Sequence, residues 1–152
     1  MANRINVALV RNSRSIHTFG LQNQLAAHSA VVRVMESCKD LPAQLSVADP
    51  PDLILTDTVL PDGSWEDILQ IAQKAPVPIN VIVVSRLVDI RLYVEALEKG
   101  AFDFITPPFE ASELSHVLRA AFSNVVQKRE AQSRASLLSE PSSAQRAFAV
   151  AS

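Results

Sequence analysis

The chain has 152 residues, 48% of them apolar, and a formal net charge of −2 at pH 7. That length and apolar fraction suit one domain with a sizeable core plus a tail, and the slightly acidic balance argues against direct nucleic-acid binding. Cys38 is the only cysteine, which excludes an internal disulfide, cannot on its own supply a metal site, and makes a cytoplasmic, reducing compartment the expectation. The first apolar run, INVALV at 5–10, breaks at Arg11, too soon for a signal peptide or a membrane span. Its β-branched residues predict a strand buried on both faces. Ile16, Phe19, Leu21 and Leu25 recur at roughly helical spacing and predict a helix over 15–28, weakened at Gly20. VVRVM (31–35) is the second strand, and DLPAQLSVA (40–48) a short helix in which Pro42 fits only the first turn.

A proline-marked loop leads into the third strand, which ends at Asp57. SWEDILQIAQKA (64–75) is a helix with Ser64 and Asp67 in capping-box positions. INVIVVS (79–85) is the fourth strand, and the helix over 88–100 ends at Gly100, where a left-handed cap is wanted. AFDFIT (101–106) is the fifth strand, and residues 113–130 form the last helix. The expected domain covers 1–128, and 129–152 is a helix extension or a disordered tail, with linker-like EPSS in its second half.

Strands alternating with helices predict an α/β fold with a parallel sheet covered on both faces. In such sheets the ligand crevice lies beyond the carboxyl ends of the strands. Those ends carry Arg11 and Asn12, Asp57, Ser85, and Thr106 with Pro107. From position alone Asp57 is either a nucleophile for phosphoryl transfer or a capping or solvated loop aspartate. Ser85 can bond a phosphoryl oxygen or cap the helix that follows it. Trp65 is expected to pack at the crevice rim, and Asp62 to serve as a turn residue. His17, His28 and His116 lie on separate elements without metal-binding spacing, and His116 reads as a surface residue. Only three glycines leave little room for a nucleotide-binding loop, so an enzyme is not expected.

DLILTDTVLPDGSW with its strand-end aspartate, the hydroxyl ending VIVVS, and EKGAFDFITPPF beside the pattern G-A-x-D-[FY]-[IL]-x-K-P-F carry a family likeness. Over residues 4 to 126 the chain resembles the receiver domain of bacterial two-component response regulators. The resemblance implies a doubly wound, flavodoxin-like (βα)5 sheet in strand order 2-1-3-4-5. It also implies phosphoacceptor Asp57, switch residues Ser85 and Phe104, and a cis peptide bond before Pro108. A sensor histidine kinase or phosphotransfer protein is the implied partner, and helix four, strand five and helix five are the implied interaction surface, which is either a homodimer face or a solvated amphipathic one. An aromatic such as Phe104 is otherwise simply core.

The chain departs from that family at two places. Arg11 and Asn12 stand where acidic residues hold Mg²⁺, and Pro107 stands where a lysine contacts the phosphoryl group. Asp57, the Val59 carbonyl and the Asn12 amide oxygen remain as metal ligands, so weak Mg²⁺ binding is expected, or none. A unit-charge pair at about 4 Å is worth about 4 kcal/mol at an effective dielectric of ~20. Arg11 beside a divalent cation is therefore a large penalty. Its guanidinium can instead pair with Asp57, clamp an incoming phosphoryl group, or face solvent. The resulting expectation is a phosphorelay receiver with a degenerate pocket. The alternative is a phosphorylation-independent interaction domain.

Overall fold

The computed structural model describes residues 4–15, 18 and 20–139. Ile16, His17 and Phe19 of the expected first helix, and the tail from residue 140, lie outside the described residues. In chain order the elements are β1 (Ile5–Val10), α1 (Leu21–Ala27), β2 (Ala30–Met35), α2 (Leu41–Leu45), β3 (Leu53–Asp57), β4 (Val59–Leu60) and β5 (Gly63–Ser64). They continue as α3 (Trp65–Gln73), β6 (Asn80–Val84), α4 (Ile90–Glu98), β7 (Asp103–Ile105) and α5 (Ala111–Ser139). Five strands pair in parallel in the order β2-β1-β3-β6-β7. Counting only these, the order is the expected 2-1-3-4-5. The difference lies in an antiparallel hairpin, β4–β5, that stands outside the sheet and was not expected.

The alternation of side chains along a strand sends neighbours to opposite faces. On one face Ile5, Val7 and Leu9 meet Leu21 and Leu25 of α1 and Leu114, Leu118 and Ala121 of α5. On the other, Ala8 and Val10 meet Leu41 and Leu45 of α2, Ile68 and Leu69 of α3, and Ala96 of α4. Every residue of β3 and β6 is buried, which explains their unbroken apolar runs. Each fully buried leucine contributes roughly 1.5–3 kcal/mol.

The helix starts and stops have local causes. α1 begins at Leu21 rather than near 15, with Gly20 at its cap. Thr18, in a turn ahead of the helix, donates its hydroxyl to the Ser15 carbonyl at 3.3 Å and to Asp57 at 3.4 Å. α3 carries the expected capping box between Ser64 and Asp67. α4 is capped by Asp89, whose carboxylate accepts the Leu92 N–H, and not by Ser85. Gly100 follows α4 at φ +109°, a conformation that suits glycine.

At the amino ends of the strands a polar cluster ties α5 across the sheet. Asn80 donates to the Ala121 carbonyl at 2.9 Å and to Asn124 at 3.0 Å, and accepts from Lys128 at 3.0 Å. Arg129 donates to Asp52 at 2.7 Å and to the carbonyls of Pro78 and Pro51 at 2.9 and 3.0 Å. Its burial pattern (Leu114, Leu118, Ala121, Val125) ends well before the helix does. α5 runs to Ser139, beyond the expected end at 130, and its residues 131–138 are exposed.

Candidate functional site

β3 lies at the centre of the sheet, between β1 and β6, so its last residue emerges where two neighbouring strand tips also end. That residue is Asp57, only 2% exposed. The backbone N–H of Asn12, just past β1, donates to Asp57 Oδ2 at 2.6 Å. The Thr18 hydroxyl donates to the same oxygen at 3.4 Å. Thr18 escaped sequence reasoning because a threonine thirty-nine positions away, inside an apparent helix, gives no pairing signal.

Asn12 is turned the opposite way from a metal ligand. Its Nδ2 donates to the Val59 carbonyl at 3.3 Å, and its Oδ1 accepts the Arg14 N–H at 3.1 Å. Both oxygens considered for Mg²⁺ beside Asp57 therefore already accept protein hydrogen bonds. Among the described residues no group of three or more His, Cys, Asp or Glu side chains is placed to hold a metal ion. This donor set does not fit a tightly bound Mg²⁺, which wants several oxygens in an octahedral array. Arg11 lies 3.6 Å from Glu36, an ion pair that the sequence reading did not consider.

Ser85 directly follows β6, and its N–H donates to the Ile105 carbonyl at 3.0 Å. Its hydroxyl donates to the Leu87 carbonyl at 2.9 Å and accepts the Leu87 N–H at 3.2 Å, closing a local turn. Phe104 is buried in β7, edge-to-face with Tyr93 of α4 at 5.7 Å between ring centres. The peptide bond between Pro107 and Pro108 is cis. A crevice of about 450 Å³ opens beside these tips, lined by Arg14, Ser15, Thr58, Ser85, Arg86 and Asp89 among others.

Trp65 stands elsewhere than expected. Trp65 is buried in the core beneath α3, not at the crevice rim, with the Lys99 ammonium 5.6 Å from its ring centre. Asp62 does more than shape its turn. Its carboxylate accepts the N–H groups of Cys38 at 2.8 Å and Lys39 at 3.1 Å, fastening the β4–β5 hairpin to the loop after β2. The Cys38 N–H is the main reason that its pKa lies below the ordinary carboxylate value. Burial, with Asp62 and Asp67 nearby, pushes the Cys38 thiol up to about 11.

Residues 8–119 match the family model of the response regulator receiver domain. The chain belongs to that family. The receiver is 35% identical over 78 residues to the response regulator protein PilR of Pseudomonas aeruginosa, covering 51% of this chain and 18% of PilR. It is 24% identical over 133 residues to the DNA-binding transcriptional regulator NtrC of Proteus hauseri, covering 88% of this chain and 28% of NtrC. The receiver thus spans less than a third of the length of these curated relatives. Among solved structures, a signal receiver domain from Vibrio parahaemolyticus superposes with a TM-score of 0.70 at 26% identity, covering 82% of this chain and 95% of that one. A receiver domain protein from Clostridium thermocellum follows at 0.66 and 24%, covering 79% and 96%. The receiver is therefore a module of two-component signalling. Such domains are in general signalling parts rather than catalysts. Among its described residues no helix is long and apolar enough to cross a membrane.

Proposed function

We propose that this receiver accepts a phosphoryl group on Asp57, from a sensor histidine kinase or a phosphotransfer protein, in a pocket poor in metal ligands. The reading rests on one observation: Asp57 is the carboxylate at the tip of the central strand, beside the crevice that Thr58 and Ser85 line. In the proposed step a carboxylate oxygen attacks phosphorus, and the donor's bond to phosphorus breaks. The departing group keeps that electron pair. Catalysis of this transfer is mostly positioning and charge neutralisation. With Asn12 in place of an acid and Pro107 in place of a lysine, transfer is slow, and any Mg²⁺ would be held weakly, by Asp57 and the Val59 carbonyl. A bound Mg²⁺ would supply charge neutralisation at the phosphoryl oxygens.

In this reading Ser85 exchanges its turn with Leu87 for a phosphoryl oxygen, and Phe104 shifts against Tyr93. The face formed by α4, β7 and α5 is the proposed homodimer surface, and on α4 it exposes Tyr93 and Val94. Sedimentation at micromolar concentration tests that surface: a strict monomer in both phosphorylation states ends the dimer proposal.

The experiment is incubation with Mg²⁺ and acetyl phosphate, followed by intact mass measurement. A phosphoryl adduct that disappears in Asp57→Asn supports the reading. An adduct that persists in Asp57→Asn overturns it. So does an adduct absent both from the wild type and from a variant carrying Arg11→Asp, Asn12→Asp and Pro107→Lys.

A further inference from the structure

We infer that the crevice between Thr58 and Arg86 binds a tetrahedral oxyanion, with the guanidinium groups of Arg14 and Arg86 supplying the positive charge that a metal and a lysine would otherwise supply. Three observations lead there. First, a cavity of about 450 Å³ is open at this point and carries both arginines on its wall. Secondly, among the described residues neither guanidinium makes a hydrogen bond or an ion pair. Some other cations are engaged, Arg33 with Gln44, Lys99 with Glu66 and Glu95, and Arg129 with Asp52; the exposed Arg91 and Arg119 are like Arg14 and Arg86 in making no such contact among the described residues, but they lie outside the crevice. Two like charges left on one rim repel each other, and an anion between them relieves that repulsion. Thirdly, Ser15 and Thr58 line the same cavity with hydroxyl donors suited to phosphate-type oxygens, and Ser85 beside them joins once it releases the Leu87 carbonyl.

The opposing charges are two. Asp89 lies on the rim with one carboxylate oxygen accepting the Leu92 N–H, and Asp57 lies at the strand tip next to Thr58. Asp57 is paired in register with Val84, the residue before Ser85, so the floor of the crevice adjoins the proposed acceptor. Guanidinium groups suit this role because they keep their charge and present a planar fork of donors to phosphate oxygens. The oxyanion is either the phosphoryl group carried by Asp57, which rests on the receiver reading above, or a free phosphate ion, which does not.

Two arms distinguish these sources, both run on the full chain in EDTA. In the first, inorganic phosphate is titrated into the Asp57→Asn protein and followed by amide NMR. Binding is expected to be saturable, with the largest shifts at residues 14, 58, 85 and 86, and tighter than in wild type because a negative charge has been removed. Arg14→Gln and Arg86→Gln in that background each weaken it roughly tenfold, the effect of one charge-assisted hydrogen bond. Arg91→Gln, an exposed arginine outside the crevice, leaves it unchanged. In the second arm, wild type and the two glutamine variants receive acetyl phosphate, and the adduct is weighed. Its yield is expected to fall in both variants and to change little when Mg²⁺ is added in excess of the chelator. Phosphate binding that depends on both arginines, without any adduct, removes the receiver reading and keeps the oxyanion site. An adduct indifferent to both arginines, with no phosphate binding, overturns the oxyanion site and keeps the receiver reading. Equal weakening by Arg91→Gln also overturns it, since general surface charge would then explain the binding.

Discussion

Replacing Arg129 by methionine removes the clamp between α5 and the amino ends of the strands. The arginine makes three hydrogen bonds, of 2.7, 2.9 and 3.0 Å, one of them to the Asp52 carboxylate. Asp52 also accepts the Asn6 N–H at 2.9 Å, and the paired side chains are 27% and 11% exposed. Methionine keeps the stem but leaves Asp52 as a largely buried charge with less compensation. Removing one partner of a fully buried pair costs about 3–5 kcal/mol. The residual exposure here lowers the expectation to about 2–4 kcal/mol. With a urea slope of about 2 kcal/mol per molar, the midpoint should fall by about 1–2 M without a change in slope. Asp52→Asn combined with Arg129→Met should recover part of the loss, a coupling of about 1.5–3 kcal/mol. A midpoint within about 0.3 M of wild type, or a coupling near zero, refutes the claim that this pair holds the helix.

Other outcomes follow from local geometry. Ser29 sits at φ +64° between α1 and β2, so Ser29→Gly should relieve about 1–2 kcal/mol of strain and lose part of that to chain entropy. A net gain of about 0.5 kcal/mol in urea unfolding is expected, and a loss would contradict the strain. Asp62 has a folded pKa below its ordinary value, so its stabilisation is present above the unfolded pKa and disappears as pH falls through the folded one. Asp62→Asn should therefore destabilise near neutrality and converge with wild type as pH falls through the folded pKa, read from thermal melts against pH. Cys38 has a thiol raised to about 11, so any stability linked to its neutral form is present below the unfolded pKa and is lost as pH rises through about 11. Iodoacetamide should label it slowly in native protein at pH 8 and rapidly in urea, and equal rates would contradict its burial.

The sheet was legible because LILTD and NVIVV are buried on both faces and need no interpretation of phase. The first helix was overextended because apolar spacing alone ignores Gly20 and the competing hydroxyl of Thr18. The β4–β5 hairpin has strands of two residues each, too short to show any periodicity. At the candidate site, strand ends identified Asp57, yet its donors Asn12 and Thr18 lie outside any strand and meet it only through tertiary contacts. Asn12 was read through its oxygen, whereas the fold aims its N–H groups at Asp57 and Val59. The last helix outran its apolar stripe because polar anchors, Arg129 and Gln132 against the Pro76–Pro78 loop, contribute nothing to hydrophobic spacing.

That outrunning stretch has a geometric consequence. Fourteen steps separate Val125, the last buried position of α5, from Ser139. At about 1.5 Å and about 100° per step, they amount to a stalk of about 21 Å. Deleting one residue there would shorten it by a trivial length but swing everything beyond the gap by more than a quarter of a revolution. Azimuth, far more than reach, is what the anchoring at 129 transmits.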